Sequence, residues 1–144
     1  MKSLNIIPVS ITYEYDPNDL NKANELYQKK ANGEYKKDQF EDIDTIARGI
    51  REYKGRVKLV AGEPIKDGFE TVEELAAIID KFIWSNYELY PSSLLSSGTD
   101  VGVSSQEKEK FLQRINQYPE HLRELIKAMY AAPVKNKENA LKNV

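Results

Sequence analysis

The sequence predicts an α/β fold with a partial parallel sheet of two strands and five helices. Three observations predict it. A β-branched run occupies residues 4–15, and a second, shorter one occupies 56–61. Two helical patterns separate these runs, which is the arrangement of a strand–crossover–strand unit. Three more amphipathic patterns then follow, so helices outnumber strands.

The first strand is expected from Leu4 to Tyr15 (LNIIPVSITYEY). Ile6, Ile7, Val9 and Ile11 are β-branched, and Thr12, Tyr13 and Tyr15 extend the preference. Ile6-Ile7 and Val9-x-Ile11 put apolar side chains on both faces, as in a strand covered on both sides. Pro8 cannot donate to a ladder, which suggests an edge, a strand start or a bulge. Asp16-Pro17 reads as a cap followed by a first helical residue, opening a helix over 17–31. Leu20, Ala23, Leu26 and Tyr27 form its stripe, and Asn32-Gly33 stops it. A second helix is expected over 36–53, where Phe40, Ile43, Ala47 and Ile50 recur at three- and four-residue intervals.

Arg56 to Ala61 (RVKLVA) gives the second strand, closed by Gly62-Glu63-Pro64. Thr71-x-x-Glu74 is a capping box that opens a helix over 72–90, with Pro91 as its stop. Residues 92–103 have loop composition. Ser104-x-x-Glu107 is a second capping box, opening a helix over 104–117. Pro119 starts a last helix over 119–131, and Pro133 ends it. The tail from Lys135 is polar and expected to fray. The expected division is 1–91 as an α/β part, 92–134 as a helical extension and 135–144 as a polar tail.

A parallel pair needs cover on both faces and more than one neighbour. Two strands leave both outer edges open, so the sheet is expected to be incomplete unless another chain completes it.

Composition narrows the function classes. The chain has 144 residues, 40% hydrophobic and 31% charged, with 21 basic and 23 acidic side chains. A formal charge of −2 argues against a nucleic-acid partner. No cysteine is present, which excludes disulfides, thiolate metal sites and a cysteine nucleophile. His121 is the single histidine, so a His-rich metal site is excluded as well. No apolar run approaches the roughly 20 residues of a membrane span. The short apolar start is broken by polar residues from Thr12, unlike a signal peptide, and a cytoplasmic location is expected.

Few constellations suggest chemistry. His121 has Glu120 and Glu124 near it in sequence but no serine at a nucleophile spacing, and it reads as a half-exposed helix residue. Asp38, Glu41, Asp42 and Asp44 spread around their helix among Lys36, Lys37, Arg48 and Arg51, which reads as a salt-bridged face rather than a metal site. Trp84, Tyr87 and Tyr90, followed by Leu94-Leu95, form either an apolar lip or ordinary packing. On the residues alone the expectation is no catalytic residue, no metal and no cofactor.

A resemblance adds to this. Ile6 to Pro17 (IIPVSITYEYDP) resembles the apolar-apolar-Pro-Val strand of the glycerolphosphate and lysophosphatidic acid acyltransferase superfamily. Tyr53 to Val57 followed by Gly62-Glu63-Pro64-Ile65 is similar to that family's next strand and turn. Ile78 to Pro91 and Leu125 to Pro133 are similar to later segments of bacterial members. The resemblance implies a mostly parallel α/β sheet and acyl transfer from acyl-CoA or acyl carrier protein, as co-substrate, to a glycerolipid hydroxyl. It also implies a His-x4-Asp pair as general base and orienting acid, and a Glu-Gly-Thr-Arg-like phosphate motif. Neither motif occurs here; Ile126, not aspartate, follows His121 by five residues. The expectation is therefore the C-terminal portion of such an enzyme, inactive alone. Its partner would be the N-terminal half or a second copy of the chain, and the full-length protein would touch a membrane peripherally. Ile6, Ile7, Pro8 and Val9 carry over as substrate-binding residues. The alternative expectation is a non-enzymatic α/β interaction module, or a homodimer completing its sheet between chains.

Overall fold

A computed structural model describes residues 5–142. The order is β1 (Val9–Tyr13), α1 (Asp19–Asn32), α2 (Glu41–Arg51), β2 (Val57–Ala61), α3 (Val72–Asn86), α4 (Pro91–Ser96), α5 (Ser105–Asn116) and α6 (Glu120–Lys142). The expected α/β class holds. The two strands form a single open sheet, with Leu4 of the predicted strand outside the described residues.

The strands run antiparallel, not parallel. Val9 faces Ala61, Ile11 faces Leu59 and Tyr13 faces Val57, so β2 starts beside the end of β1. One crossover helix returns a chain to the start of a parallel neighbour. Here two helices intervene, and the chain reaches β2 from the far end. The ladder runs on past both strand ends. Glu14 and Tyr15 donate to the carbonyls of Arg56 (2.9 Å) and Lys54 (3.0 Å), and an isolated bridge joins Ile6 to Ile65. Pro8 lies just before β1, a place a proline tolerates, and its carbonyl accepts from the Gly62 N–H at 2.9 Å.

Both capping boxes form as expected. Thr71 and Glu74 open α3, and Ser104 and Glu107 open α5, each with reciprocal side-chain and backbone bonds. Asp16 does not cap α1. Asn18 takes that position, and Asp16 instead accepts from the Asn18 N–H at 2.9 Å, which tightens the turn before the helix. Pro91 does not merely stop α3. It is the first residue of α4, so part of the expected loop is helical.

The largest departure is α6. It passes through Pro133 and includes residues 135–142 of the tail expected to fray, whose last two residues lie outside the described ones. Proline in a helix interior loses one bond and crowds the preceding turn. Packing offsets that cost. Tyr130 and Ala140 are buried on either side of Pro133, and the Lys137 ammonium donates to the Tyr87 carbonyl at 2.7 Å. The polar spacing of the tail hides one helix face that lies against α3, where Asn139 and Ala140 share a cleft with Ala77 and Trp84.

The core is helical. Tyr15, Ala23, Phe111, Ile115, Leu122, Ile126 and Tyr130 cluster where α1, α5 and α6 meet the end of β1. Gly62 fits between the sheet and α3: a Cβ there would stand 2.7 Å from the Phe82 ring and 2.9 Å from Pro8 Cγ. Gly62→Ala is expected to lose about 1–3 kcal/mol of stability, read as a lower urea midpoint at unchanged m-value.

Candidate functional site

The sheet is inside out. In β1, Ser10 and Thr12 are 1% exposed, whereas Val9 and Ile11 are 40% and 45% exposed. Strand residues alternate between faces, so every apolar residue of β1 looks outward and every buried one is polar. The register places Val57, Leu59 and Ala61 of β2 on the same outer face as Tyr13, Ile11 and Val9, and all six side chains are exposed.

The inner face of β1 is polar, and its groups are satisfied. The Ser10 hydroxyl donates to the Ile83 carbonyl (3.1 Å), and Thr12 Oγ1 accepts from the Glu88 N–H (3.1 Å). The Ser92 hydroxyl donates to the Glu14 carbonyl at 2.5 Å. These bonds fasten β1 to the C-terminal end of α3, its following segment and α4. An alternating V-S-I-T-Y-E sequence ordinarily buries its apolar set. Here hydrogen bonding decides the orientation and leaves the apolar set without cover among the described residues.

Glu14 is the buried charge of this inner face. Its carboxylate accepts from the Arg56 N–H (3.0 Å), Nε (3.1 Å) and a terminal guanidinium nitrogen (3.1 Å). Burial works to raise its pKa, but the Arg56 hydrogen bonds and charge outweigh burial and hold it below the ordinary 4.5. A depressed folded-state pKa stabilises above the ordinary value and is lost as pH falls through the folded one. Glu14→Gln is therefore expected to flatten the fall in stability below pH 4.5 while lowering stability at neutral pH, read by urea titration across that range.

A second buried knot centres on Asp19, at the start of α1. Its Oδ2 accepts from the hydroxyls of Tyr118 (2.5 Å) and Tyr130 (2.7 Å) and from the Arg114 guanidinium (3.0 Å). Oδ1 accepts from the Leu20 N–H at 2.7 Å. The Tyr130 hydroxyl also accepts from the Asp16 N–H at 3.0 Å. Burial, then the Asp19 hydrogen bond and charge, push the Tyr118 hydroxyl far above the ordinary tyrosine range. Burial, then the Asp19 charge and hydrogen bond, do the same for Tyr130. A carboxylate so fully engaged ties α1 to α5 and α6.

The residues singled out by sequence fall as follows. Pro8 is buried against Gly62 and Phe82, while Ile6 is half-buried at its bridge to Ile65. Ile7 and Val9 are exposed, Val9 on the outer sheet face. The four are thus contiguous in sequence but divided between an inner packing role and an outer surface. His121 packs edge-on against Tyr27 with ring centroids 4.8 Å apart, in an open cleft shared with Lys30, Glu124 and Leu125 that holds no serine or threonine. In the acidic cluster, Glu41 accepts from Tyr35 (2.7 Å), Asp42 from Lys37 (2.8 Å) and Asp44 from Arg48 (2.8 Å), which is the salt-bridged face expected. No group among the described residues has the makings of a metal site. Tyr90 is buried under the Arg56 guanidinium and Tyr87 is half-buried, so packing accounts for most of the expected lip. No helix among the described residues is long and apolar enough to cross a membrane.

No protein-family model, curated protein or solved structure matches the chain.

Proposed function

We propose that the chain is a catalytically silent, sheet-completing part of an acyltransferase-like α/β assembly. Its partner is a polypeptide carrying the His-x4-Asp pair and the phosphate motif. The observation that carries this reading is the apolar outer face of β1 and β2. Val9, Ile11, Tyr13, Val57 and Leu59 together amount to a core surface turned to solvent. A partner layer packed on that face would convert it to interior and place Ile7 and Val9 along the resulting seam. There they would line an acyl or acceptor channel, as the family resemblance implies. The acyl donor would be acyl-CoA or acyl carrier protein, and its glycerolipid acceptor entails a peripheral membrane contact of the assembly.

The experiment joins the purified chain to a separately purified acyltransferase N-terminal half of the resembling family. The chain alone is expected to give no transfer from acyl-CoA to lysophosphatidate. The mixture is expected to co-elute and to turn over, and Ile11→Lys is expected to abolish both without unfolding the chain. Turnover by the chain alone, or no complex at high micromolar concentrations of both parts, overturns the reading.

The strand direction favours a second reading. The resembling family implies a mostly parallel sheet, and these strands are antiparallel. A non-enzymatic interaction module that completes its sheet with a second copy suits this geometry, since antiparallel edges pair readily across a two-fold axis. It predicts slow hydrogen exchange of the Val9, Ile11 and Tyr13 amides that depends on protein concentration. Exchange that is equally fast at every concentration counts against it.

A further inference from the structure

The second inside-out element is α2. Its polar side faces the chain: the Asn18 carboxamide donates to the Thr45 carbonyl at 3.2 Å, and Gly49 lies beside the same side chain. Its apolar side faces away, with Ile43, Ile46 and Ile50 at 65%, 63% and 76% exposed and no residue of the helix buried. Phe40, Ile43, Ala47 and Ile50 follow the three-four-three spacing of a coiled-coil seam, and the exposed Ile46 flanks it on the same face. The charges are divided along the axis, with Glu41, Asp42 and Asp44 in the first turn and Arg48 and Arg51 in the last; within one copy the exposed Asp44 pairs with Arg48 and Asp42 with Lys37, pairs that contacts between copies would exchange.

From this geometry we infer that α2 pairs with α2 of a second copy of this chain, antiparallel about a two-fold axis. Antiparallel packing sets the acidic end of each helix against the basic end of the other. Parallel packing would set acid on acid and base on base. The charge division is thus complementary to itself in one orientation only, and a two-fold axis uses each pairing twice. The same division favours the helix's own dipole, so charge exchange between copies is the deciding measurement. A seam of three turns, about 16 Å long, is small, and a dissociation constant of about 1–100 μM is expected.

Sedimentation equilibrium of the full chain reads this directly, with circular dichroism as the check on folding. Ile46→Lys changes an exposed residue, so the fold persists, and dimerisation is expected to weaken by about tenfold or more because the substitution enters the seam twice. A copy with Asp42→Lys and Asp44→Lys, and another with Arg48→Glu and Arg51→Glu, are each expected to be monomeric alone and to dimerise when mixed. A parent chain that stays monomeric up to about 1 mM overturns the inference. So does a dimer that Ile46→Lys leaves intact and Ile11→Lys dissolves, which would assign the seam to the sheet. So does a monomer that binds phosphatidylcholine–phosphatidylglycerol vesicles through Ile46, which would assign α2 to a lipid surface. Failure of the two charge variants to associate on mixing overturns it as well.

Discussion

Asp19→Ala is expected to destabilise the chain by about 3–5 kcal/mol, the cost of removing one partner from a buried ion pair. Domains of this size are stable by only about 5–15 kcal/mol, so much of the population should be unfolded at moderate temperature. The reason lies in what remains behind. Asp19 is 3% exposed and gathers two tyrosine hydroxyls and one guanidinium on a single oxygen. Without it, the Arg114 cation keeps its place over the Tyr15 and Tyr118 rings but has no counter-charge. The Tyr118 hydroxyl loses its acceptor in the interior, and the Tyr130 hydroxyl keeps only its bond from the Asp16 N–H. Tyr118→Phe removes one donor and leaves the carboxylate its other partners, so its loss should be near 1 kcal/mol. The ordering of the two variants is the test. Urea unfolding that finds Asp19→Ala no more costly than Tyr118→Phe would show that the knot does not hold α1 against α5 and α6.

The knot also shows what could be read from the chain and what could not. Thr71-x-x-Glu74 and Ser104-x-x-Glu107 were legible because a capping box closes within four residues. Asp19 was not, since its partners lie 95, 99 and 111 residues away, and an acid in a first helical turn is explained locally by the helix dipole. The first strand was legible, but the expectation that both its faces are covered fails, because Val9, Ile11 and Tyr13 are exposed on one face. Val9, Ile11 and Tyr13 alternate with Ser10, Thr12 and Glu14, and alternation fixes that two faces differ without fixing which one is buried. The Ile83 carbonyl, the Glu88 N–H and Arg56 decide that, and each is a long-range partner. Strand direction failed although both connecting helices were legible, because one crossover helix leads to a parallel neighbour whereas the two here return the chain antiparallel. Pro133 misled because local chemistry says stop, whereas Ala140 and Lys137 gain partners only if the helix continues.

Raising the pH above the ordinary tyrosine value of 10 should unfold the chain cooperatively. Tyr118 and Tyr130 are held neutral by burial and by the Asp19 carboxylate, with folded-state pKa values far above the ordinary 10. The sign follows from linkage. The unfolded chain releases these protons near pH 10, and the folded chain does not. The stability is therefore complete below that pH and declines as pH climbs through the interval between the unfolded and folded values. Two such groups share one acceptor, so their contributions act together. A step in tyrosinate absorbance should coincide with loss of the helical signal, because Tyr118 and Tyr130 ionise on unfolding. Tyr118→Phe should shrink that step by one tyrosine. A step that precedes the loss of helix, or that keeps its full amplitude in Tyr118→Phe, would mean that Asp19 does not hold these hydroxyls protonated.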